Sequence, residues 1–464
     1  MFNLKHDKKI PVWIDPRKYW RSIYLIGETH PVHHIKWLRP KFFRHVDFLD
    51  KSQWWTPKKL RFMQLKKLKK IVLHAYNEVP YYRKVMKQHK LLPSDIKELK
   101  DITKIPLTEK DGMRPSFPKE IVSQSYPDLN LMSDSTSGST GTPFQFFKCP
   151  EKVEWEKSLD TRTYSWIGMD RGDRFAKIWG VKNPNYWLSL GEKLIRKRII
   201  LNAFEMNKGK TTVFFKQLEK FQPDFLQGYG GALYVFSKFM SNENLSLPSL
   251  RGVISSGGMM LERELQERSF GCPVYDRYGS REFGCVAHEC EFKNLHVNDE
   301  GFLVELVDEE GNWVEDGERG EIVVTDFNNP AMPFIRYKIG DSAKANYQKK
   351  CECGRGLSIL GELLGRTSDL IYTPSGKPIL LQFFVLLFQK NKKIKKFKLV
   401  KTSKRKLDVF LEVEKKLEDS LIEEIERKIV DYCQSEMDVE IVLVDELPFS
   451  ESGKYKIIES RIAT

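Results

Sequence analysis

The chain is short of acidic residues, of cysteine and of long apolar runs, and each shortage narrows what it can be. Its 63 Asp and Glu against 77 Lys and Arg leave a formal charge of +14, which favours an anionic partner: nucleic acid, acidic lipid, a phosphorylated cofactor or an acidic sugar. Cysteines number seven; an odd count points to thiols or metal ligands rather than a disulfide framework. The longest strongly apolar run, Ile379 to Phe388, is too short to span a bilayer. Met1 to Pro11 carries lysines with no apolar segment behind them, so no secretory leader and no transmembrane segment are expected, and a cytoplasmic protein follows. Helix-turn-helix, zinc-finger and RNA-binding signatures are also missing, so nucleic acid is not an expected partner despite the charge.

What is present suits a large soluble fold. Hydrophobic residues at 41% and aromatics at 12% exclude a disordered chain, and 464 residues allow three domains, or two of unequal size. The basic runs Lys66 to Lys70, Arg196 to Arg198 and Lys392 to Lys398 read as solvated faces. Residues 1–56, rich in Trp, His, Phe and Arg, read as an extension packed on the main body by its aromatics.

Further along, Leu60, Met63, Leu68, Ile71, Val72 and Ala75 share one helix face, which Pro80 ends. Thr108 is placed to cap a short helix. Helical spacing runs from Glu151 to Ile167, and Phe175 to Trp179 reads as a buried strand. Strand and helix then alternate: strands at 225–227, 252–255 and 274–275, helices at 233–240 and 261–268. Such an order predicts a parallel sheet covered by helices, with ligands at the carboxyl ends of its strands. From Gly301 the turn signals indicate an antiparallel part, and beyond Gly365 a helix at 417–432 and a strand at 440–444 indicate a small α+β domain. The expected fold is α/β: a large N-terminal domain with helix-covered sheets plus an antiparallel part over 57–365, and a small mobile α+β C-terminal domain over 366–464.

Chemistry concentrates in five stretches. Asp134 to Pro143 packs Ser137, Gly138, Ser139, Thr140, Gly141 and Thr142 together; glycines bare backbone N–H groups and hydroxyls add donors, a composition that can wrap phosphate oxygens. It is neither Gly-x-Gly-x-x-Gly nor a loop ending in Gly-Lys-Ser/Thr, and alone it reads equally as a linker. Tyr278-Gly279-Ser280-Arg281-Glu282 offers an aromatic face and a carboxylate at the end of a strand. Phe334 to Asp341 offers a second carboxylate beside basic residues, Gly365-Arg366-Thr367-Ser368-Asp369 opens the tail, and Leu447 to Lys454 presents a lysine on a Gly loop.

Taken in order, these stretches resemble those of the adenylate-forming enzymes, the superfamily of acyl-CoA and aryl-CoA synthetases. Lys66-Lys67-Leu68, Val79-Pro80-Tyr81-Tyr82 and Ile105-Pro106-Leu107-Thr108 extend the resemblance to its phenylacetate-CoA ligase-like branch, which includes capsular polysaccharide biosynthesis proteins, over about residues 50–464. The resemblance implies an ATP-dependent, AMP-forming ligase that activates an aryl or sugar-linked carboxylic acid as an acyl-adenylate and passes it to CoA. An amine acceptor in surface polysaccharide biosynthesis is the alternative, and a basic nucleic-acid-binding protein a remote one.

By the same resemblance, Ser137 to Thr142 would hold the ATP phosphates and Glu282 would ligate Mg²⁺, a hard cation that prefers oxygen. Tyr278 and Gly279 with Gly257 and Gly258 would enclose the adenine, and Asp341 would accept the ribose hydroxyls. Arg366 would stand near the ribose or phosphate, Ser368 would serve as the hinge, and Lys454 would neutralise charge developing at the α-phosphate and carboxylate. Trp179, Tyr229 and Met259 are candidates for the acyl pocket. The chain departs from the branch's pattern at Phe144, where a lysine is common, at Arg281, where Thr or Ser is common, and at Ser368.

Cys290 with His296, and Cys351 with Cys353, supply three thiols and an imidazole, a ligand set suited to a closed structural Zn²⁺. Their spacing is not that of a standard finger, and Cys285 and His288 are nearby substitutes. The branch contains proteins with zinc at matching positions.

Overall fold

The computed structural model describes residues 40–126, 131–135, 144–170, 172–179, 198–203, 208–258, 260–366, 371–375, 378–379, 384, 387–388, 391, 393–413, 417–433, 435–447 and 457–461. Three helices come first: α1 (Pro40–Ser52), α2 (Pro57–Glu78) and α3 (Pro80–Gln88). Thr56 caps α2 by accepting from the Lys59 N–H, and Pro57 opens it where no amide donor is needed. Leu60, Leu68, Ile71, Val72 and Ala75 form its buried stripe. Pro80 does more than end α2, since it also occupies the first turn of α3.

Thr108 is not a helix cap. Its hydroxyl donates to the Ile335 carbonyl and its amide to Arg336, so it is spent tying a loop to the body, and the short helix at Lys110–Met113 has no side-chain cap. The run Lys66 to Lys70 is not uniformly solvated either. Lys67 points inward, over the Trp155 ring and onto the Glu300 carbonyl, and burial pushes its pKa down to about 8.

Strands β1 (Met132–Ser135) and β2 (Gln145–Lys148) pair antiparallel on either side of the Ser/Gly loop, and Pro150 opens α4 (Pro150–Trp166). Next come β3 (Phe175–Trp179), β4 (Arg198–Asn202), α5 (Lys208–Phe221), β5 (Phe225–Tyr229), α6 (Gly230–Asn242), β6 (Gly252–Ser256), α7 (Arg263–Phe270), β7 (Val274–Ser280), β8 (Gly284–Glu289) and β9 (Leu295–Val297). These strands build one eight-stranded sheet, completed by the short β13 (Ile359–Leu360), in the order β13-β9-β8-β7-β6-β5-β3-β4. Pairings from β4 across to β7 are parallel, and those from β7 to β13 antiparallel. The central strands are covered on both faces, so Phe225, Leu226, Val253, Ile254 and Val274 are all buried and read as continuous apolar runs. β7 runs on to Ser280, beyond the two residues its apolar pattern marks, because the returning β8 pairs with its polar end.

A second, antiparallel sheet joins β10 (Phe302–Val307), β11 (Arg319–Asp326), β12 (Tyr337–Lys344) and β14 (Leu363–Arg366). The two-stranded β15 (Ile371–Tyr372) and β16 (Pro378–Ile379) lead into the tail. There β17 (Ile394–Lys401), β18 (Lys406–Val413), α8 (Asp419–Tyr432), β19 (Asp438–Val444) and β20 (Ile458–Ser460) form a four-stranded mixed sheet with α8 on it. Leu399, Val409, Leu411, Ile425 and Ile429 make its core, which Tyr234 and Leu261 of the larger part join.

Buried ion pairs lock the helices to the sheets. Arg162 of α4 bonds Glu300, Asn298 and the Leu49 carbonyl, and Ser52 of α1 donates to the same Glu300. Phe48, Trp55 and Trp155 pack ring against ring beside this network, which fastens residues 40–56 to the body. Among the described residues no helix is long and apolar enough to cross a membrane.

Candidate functional site

Two of the chemical stretches meet where β7 faces β12. The Tyr278 hydroxyl donates to Asp341 Oδ2 at 2.9 Å, and the Tyr337 hydroxyl donates to Glu282 Oε1 at 3.2 Å. Burial and the Glu282 carboxylate beside it drive the Tyr337 pKa far up, so this phenol stays protonated and remains a donor. Glu282 is only 6% exposed. Its other oxygen has no partner among the described residues, so one lone-pair face is left for a cation such as Mg²⁺.

Backbone form holds this corner open. A Cβ at Gly279 would lie 1.9 Å from the Gly284 carbonyl oxygen, so only glycine lets β7 bulge against β8 there. Gly257 has φ +63 and sits against the Tyr229 ring, whereas a Cβ at Gly258 would meet nothing within 4 Å. Space is thus available beside Gly258, at the carboxyl end of β6.

Arg281 reaches from the same corner to Asp134 Oδ1 at 3.1 Å and to the Ser135 carbonyl. The strand leading into the Ser/Gly loop is therefore tethered to the Tyr278–Glu282 stretch. Phe144, just past the loop, is buried against Phe117. Its apolar anchorage explains why a lysine does not stand there. Arg366 pairs in register with Asp341 across β12 and β14, which brings its backbone to the same corner.

The basic residues beside Asp341 are not part of the site. Arg336 is buried and bonds Glu305 and the carbonyls of Thr103, Ile105 and Gly311, while Lys338 pairs with Glu321. Ser137, Gly138, Ser139, Thr140, Gly141, Thr142, Met259, Ser368 and Lys454 lie outside the described residues. Tyr337 escaped the sequence reading because only the fold turns its hydroxyl toward Glu282.

The cysteine set does converge. Ligand atoms of Cys290, His296, Cys351 and Cys353 all lie within 4.8 Å of one another, although Cys290 and Cys351 are 61 positions apart. Cys290 Sγ is 3.5 Å from Cys351 Sγ, and His296 Nε2 is 3.3 Å from Cys353 Sγ. His296 Nδ1 faces the Leu357 carbonyl, a contact that fixes the tautomer with a free lone pair on Nε2. Burial pushes this imidazole down to about 4, which keeps it in the neutral, ligating form. Three thiols and one oriented imidazole fit a tetrahedral Zn²⁺. Cys285 and His288 are not substitutes, because neither joins the group whose ligand atoms converge.

The CapK C-terminal domain family matches residues 371–461. The phenylacetate-coenzyme A ligase of Thermus thermophilus is 26% identical over 326 residues, 68% of this chain and 72% of that protein. The chain is thus similar to the phenylacetate-coenzyme A ligases over about two thirds of its length. Protein CapK of Staphylococcus aureus is also 26% identical, over 58% of this chain and 61% of its own length.

The solved structures agree on the adenylate-forming fold, with its large N-terminal and small C-terminal domains. A 2-hydroxyisobutyryl-CoA ligase in the postadenylation state aligns with a TM-score of 0.70 at 18% identity, covering 86% of this chain and 89% of that one. The same ligase in an open conformation gives 0.57. Because the sequence compared is the same, the difference reports how the parts of the adenylate-forming fold are arranged.

Proposed function

We propose that the chain is an ATP-dependent, AMP-forming ligase that activates a carboxylic acid as its adenylate and transfers the acyl group to CoA. The observation that carries this reading is the pair of bonds joining Tyr278 to Asp341 and Tyr337 to Glu282, which draws an aromatic face and two carboxylates from separate sheets into one open corner. In this reading Asp341 accepts the ribose hydroxyls, and Tyr278 with Gly257, Gly258 and Gly279 encloses the adenine. Residues 137–142 wrap the phosphates, and Arg366 and Lys454 add positive charge. Bound at Glu282, Mg²⁺ would neutralise phosphate charge.

The chemistry is an in-line displacement. A carboxylate oxygen forms a bond to the α-phosphorus as the bond to the pyrophosphate oxygen breaks, and the negative charge spread over the phosphoryl oxygens is met by the cations of Lys454 and Arg366. The acceptor thiol then forms a bond to the acyl carbon and AMP leaves. The proposal includes a packed extension over 1–56, a large domain over 57–365 and a small one over 366–464 that turns about Ser368. Zinc held by Cys290, His296, Cys351 and Cys353 would be structural, since all four ligand positions are filled by protein.

Acid-dependent exchange of labelled pyrophosphate into ATP tests the first step, and CoA-stimulated release of AMP tests the second. Exchange with no acid in a broad panel would overturn the reading. A second reading keeps the adenylation and passes the acyl group to an amine in surface polysaccharide biosynthesis; AMP release stimulated by amino sugars and not by CoA would select it.

A further inference from the structure

Lys177 is a charged residue in the middle of a strand that is otherwise apolar, Phe175-Ala176-Lys177-Ile178-Trp179. Its ammonium lies 5.3 Å from the Phe175 ring centroid and 5.6 Å from that of Trp179. Among the described residues no carboxylate is within ion-pairing distance. Asp160 of α4, which attracts it, is already held by Arg277 at 2.7 Å and 3.2 Å, and Arg277 itself repels the lysine. Two aromatic faces compensate a cation only partly, so the ammonium of this half-buried lysine is left to water or to a ligand.

The neighbour across the ladder repeats the pattern. Gln227 of β5 is in direct register with Lys177 and is 2% exposed. Its Nε2 donates to Ser256 Oγ at 3.1 Å and to the Tyr164 hydroxyl at 3.3 Å. Its Oε1 is buried with no hydrogen-bond partner among the described residues. An orphaned buried acceptor costs about 1–3 kcal/mol, and here it stands one strand spacing from the half-buried Lys177.

This pair is continuous with the proposed site. Two residues on, and on the same face, Trp179 of β3 stacks on Tyr229 of β5 at 4.3 Å between centroids. A Cβ at Gly257 would touch that Tyr229 at 3.1 Å. From the adenine side inward the order is therefore Gly257, Tyr229, Trp179, then Lys177 with Gln227. Half-buried and without an ion-pair partner among the described residues, Lys177 can answer an anion that enters beside the strand.

We propose that Lys177 and Gln227 bind the far end of the acid, and that the acid carries a second anionic group there, with a hydroxyl or other donor beside it. Lys177 supplies a charge-assisted hydrogen bond to the anion, and Gln227 Oε1 accepts from the donor. The assignment rests on the adenylating reading of the site and names its substrate class: diacids or phosphorylated acids rather than purely apolar ones.

The test uses the full chain and matched acids of equal length ending in a methyl, a carboxylate or a phosphate. Pyrophosphate exchange by the wild type should favour an anionic end by about tenfold or more in kcat/KM, as expected for a charged hydrogen bond, and which anion leads identifies the source. Lys177→Met, a linear and apolar replacement, should collapse that ratio, and Gln227→Leu should lower it only for acids that also carry a hydroxyl. Equal use of the three ends by the wild type, or a ratio that Lys177→Met leaves unchanged, would overturn the assignment. Calorimetric binding of the same acids decides it independently of turnover: tighter binding of the anionic acids by wild type than by Lys177→Met supports it, and equal binding overturns it. Absence of exchange with every acid would instead overturn the ligase reading, while the binding ratio would still judge Lys177.

Discussion

The cysteine cluster and the Lys177–Gln227 pair occupy opposite halves of one eight-stranded sheet, and they treat polar groups in opposite ways. At the antiparallel edge, Cys290, His296, Cys351 and Cys353 converge on a common centre, and the remaining imidazole nitrogen is turned to a backbone carbonyl. Every donor there is directed at another protein group or at the centre itself. In the parallel half, Gln227 Oε1 has no hydrogen-bond partner and Lys177 no ion-pair partner among the described residues. A closed set is the mark of a structural site, because nothing is left to bind a substrate. An open set stores an unmet demand that a ligand can satisfy, which marks a functional one. The Tyr278–Asp341 and Tyr337–Glu282 corner is intermediate: its groups hold one another and leave one Glu282 oxygen unpartnered.

The contrast can be broken in order of expected effect. Lys454→Ala should lower pyrophosphate exchange by about 10³-fold or more, the scale of losing a group that stabilises transition-state charge, with the melting temperature unchanged; exchange at the wild-type rate would end its assigned role. Cys290→Ala should do the reverse. A metal link across 61 positions is worth about 4 kcal/mol by the chain-entropy estimate, so the protein should melt well below the wild type and zinc content should fall. Zinc-free, fully stable wild-type protein would refute the structural reading.

A smaller effect is expected from pH. Burial holds the Lys177 pKa at about 8, with Asp160 of α4 attracting and Arg277 of β7 repelling the ammonium, while burial keeps Tyr164 of α4 protonated. The lysine is charged below that value and neutral above it. The preference of kcat/KM for an anionic-ended acid should hence decline as pH rises through about 8 and stay flat in Lys177→Met. Last, Tyr278→Phe removes one hydrogen bond to Asp341, worth about 1 kcal/mol. A rise of about fivefold in KM for ATP, with kcat nearly kept, is the expected reading.

Much of the fold was legible because its elements are written locally. The α2 stripe, the strand at 175–179, the β-α alternation of the parallel half and the antiparallel sheet after Gly301 all follow from periodicity and turn residues, whereas the antiparallel β8 and β9 before it were not read. Within the site, Tyr278, Glu282 and Asp341 were legible as ordered motifs. Thr108 and Lys67 were misread because each was judged by its sequence neighbours, whereas the groups that hold them come from distant segments.

The sequence by itself determined the charge, the order of the motifs and the residues able to bind metal or nucleotide. Only the tertiary structure decided which of those groups answer one another. Periodicity is a property of nearby residues, and satisfaction of a buried charge is a property of residues far apart in the chain. Cys290 finds Cys351, and Tyr278 finds Asp341, only once the sheets have assembled. Lys177, in the same assembly, finds two aromatic rings and, among the described residues, no carboxylate within ion-pairing distance.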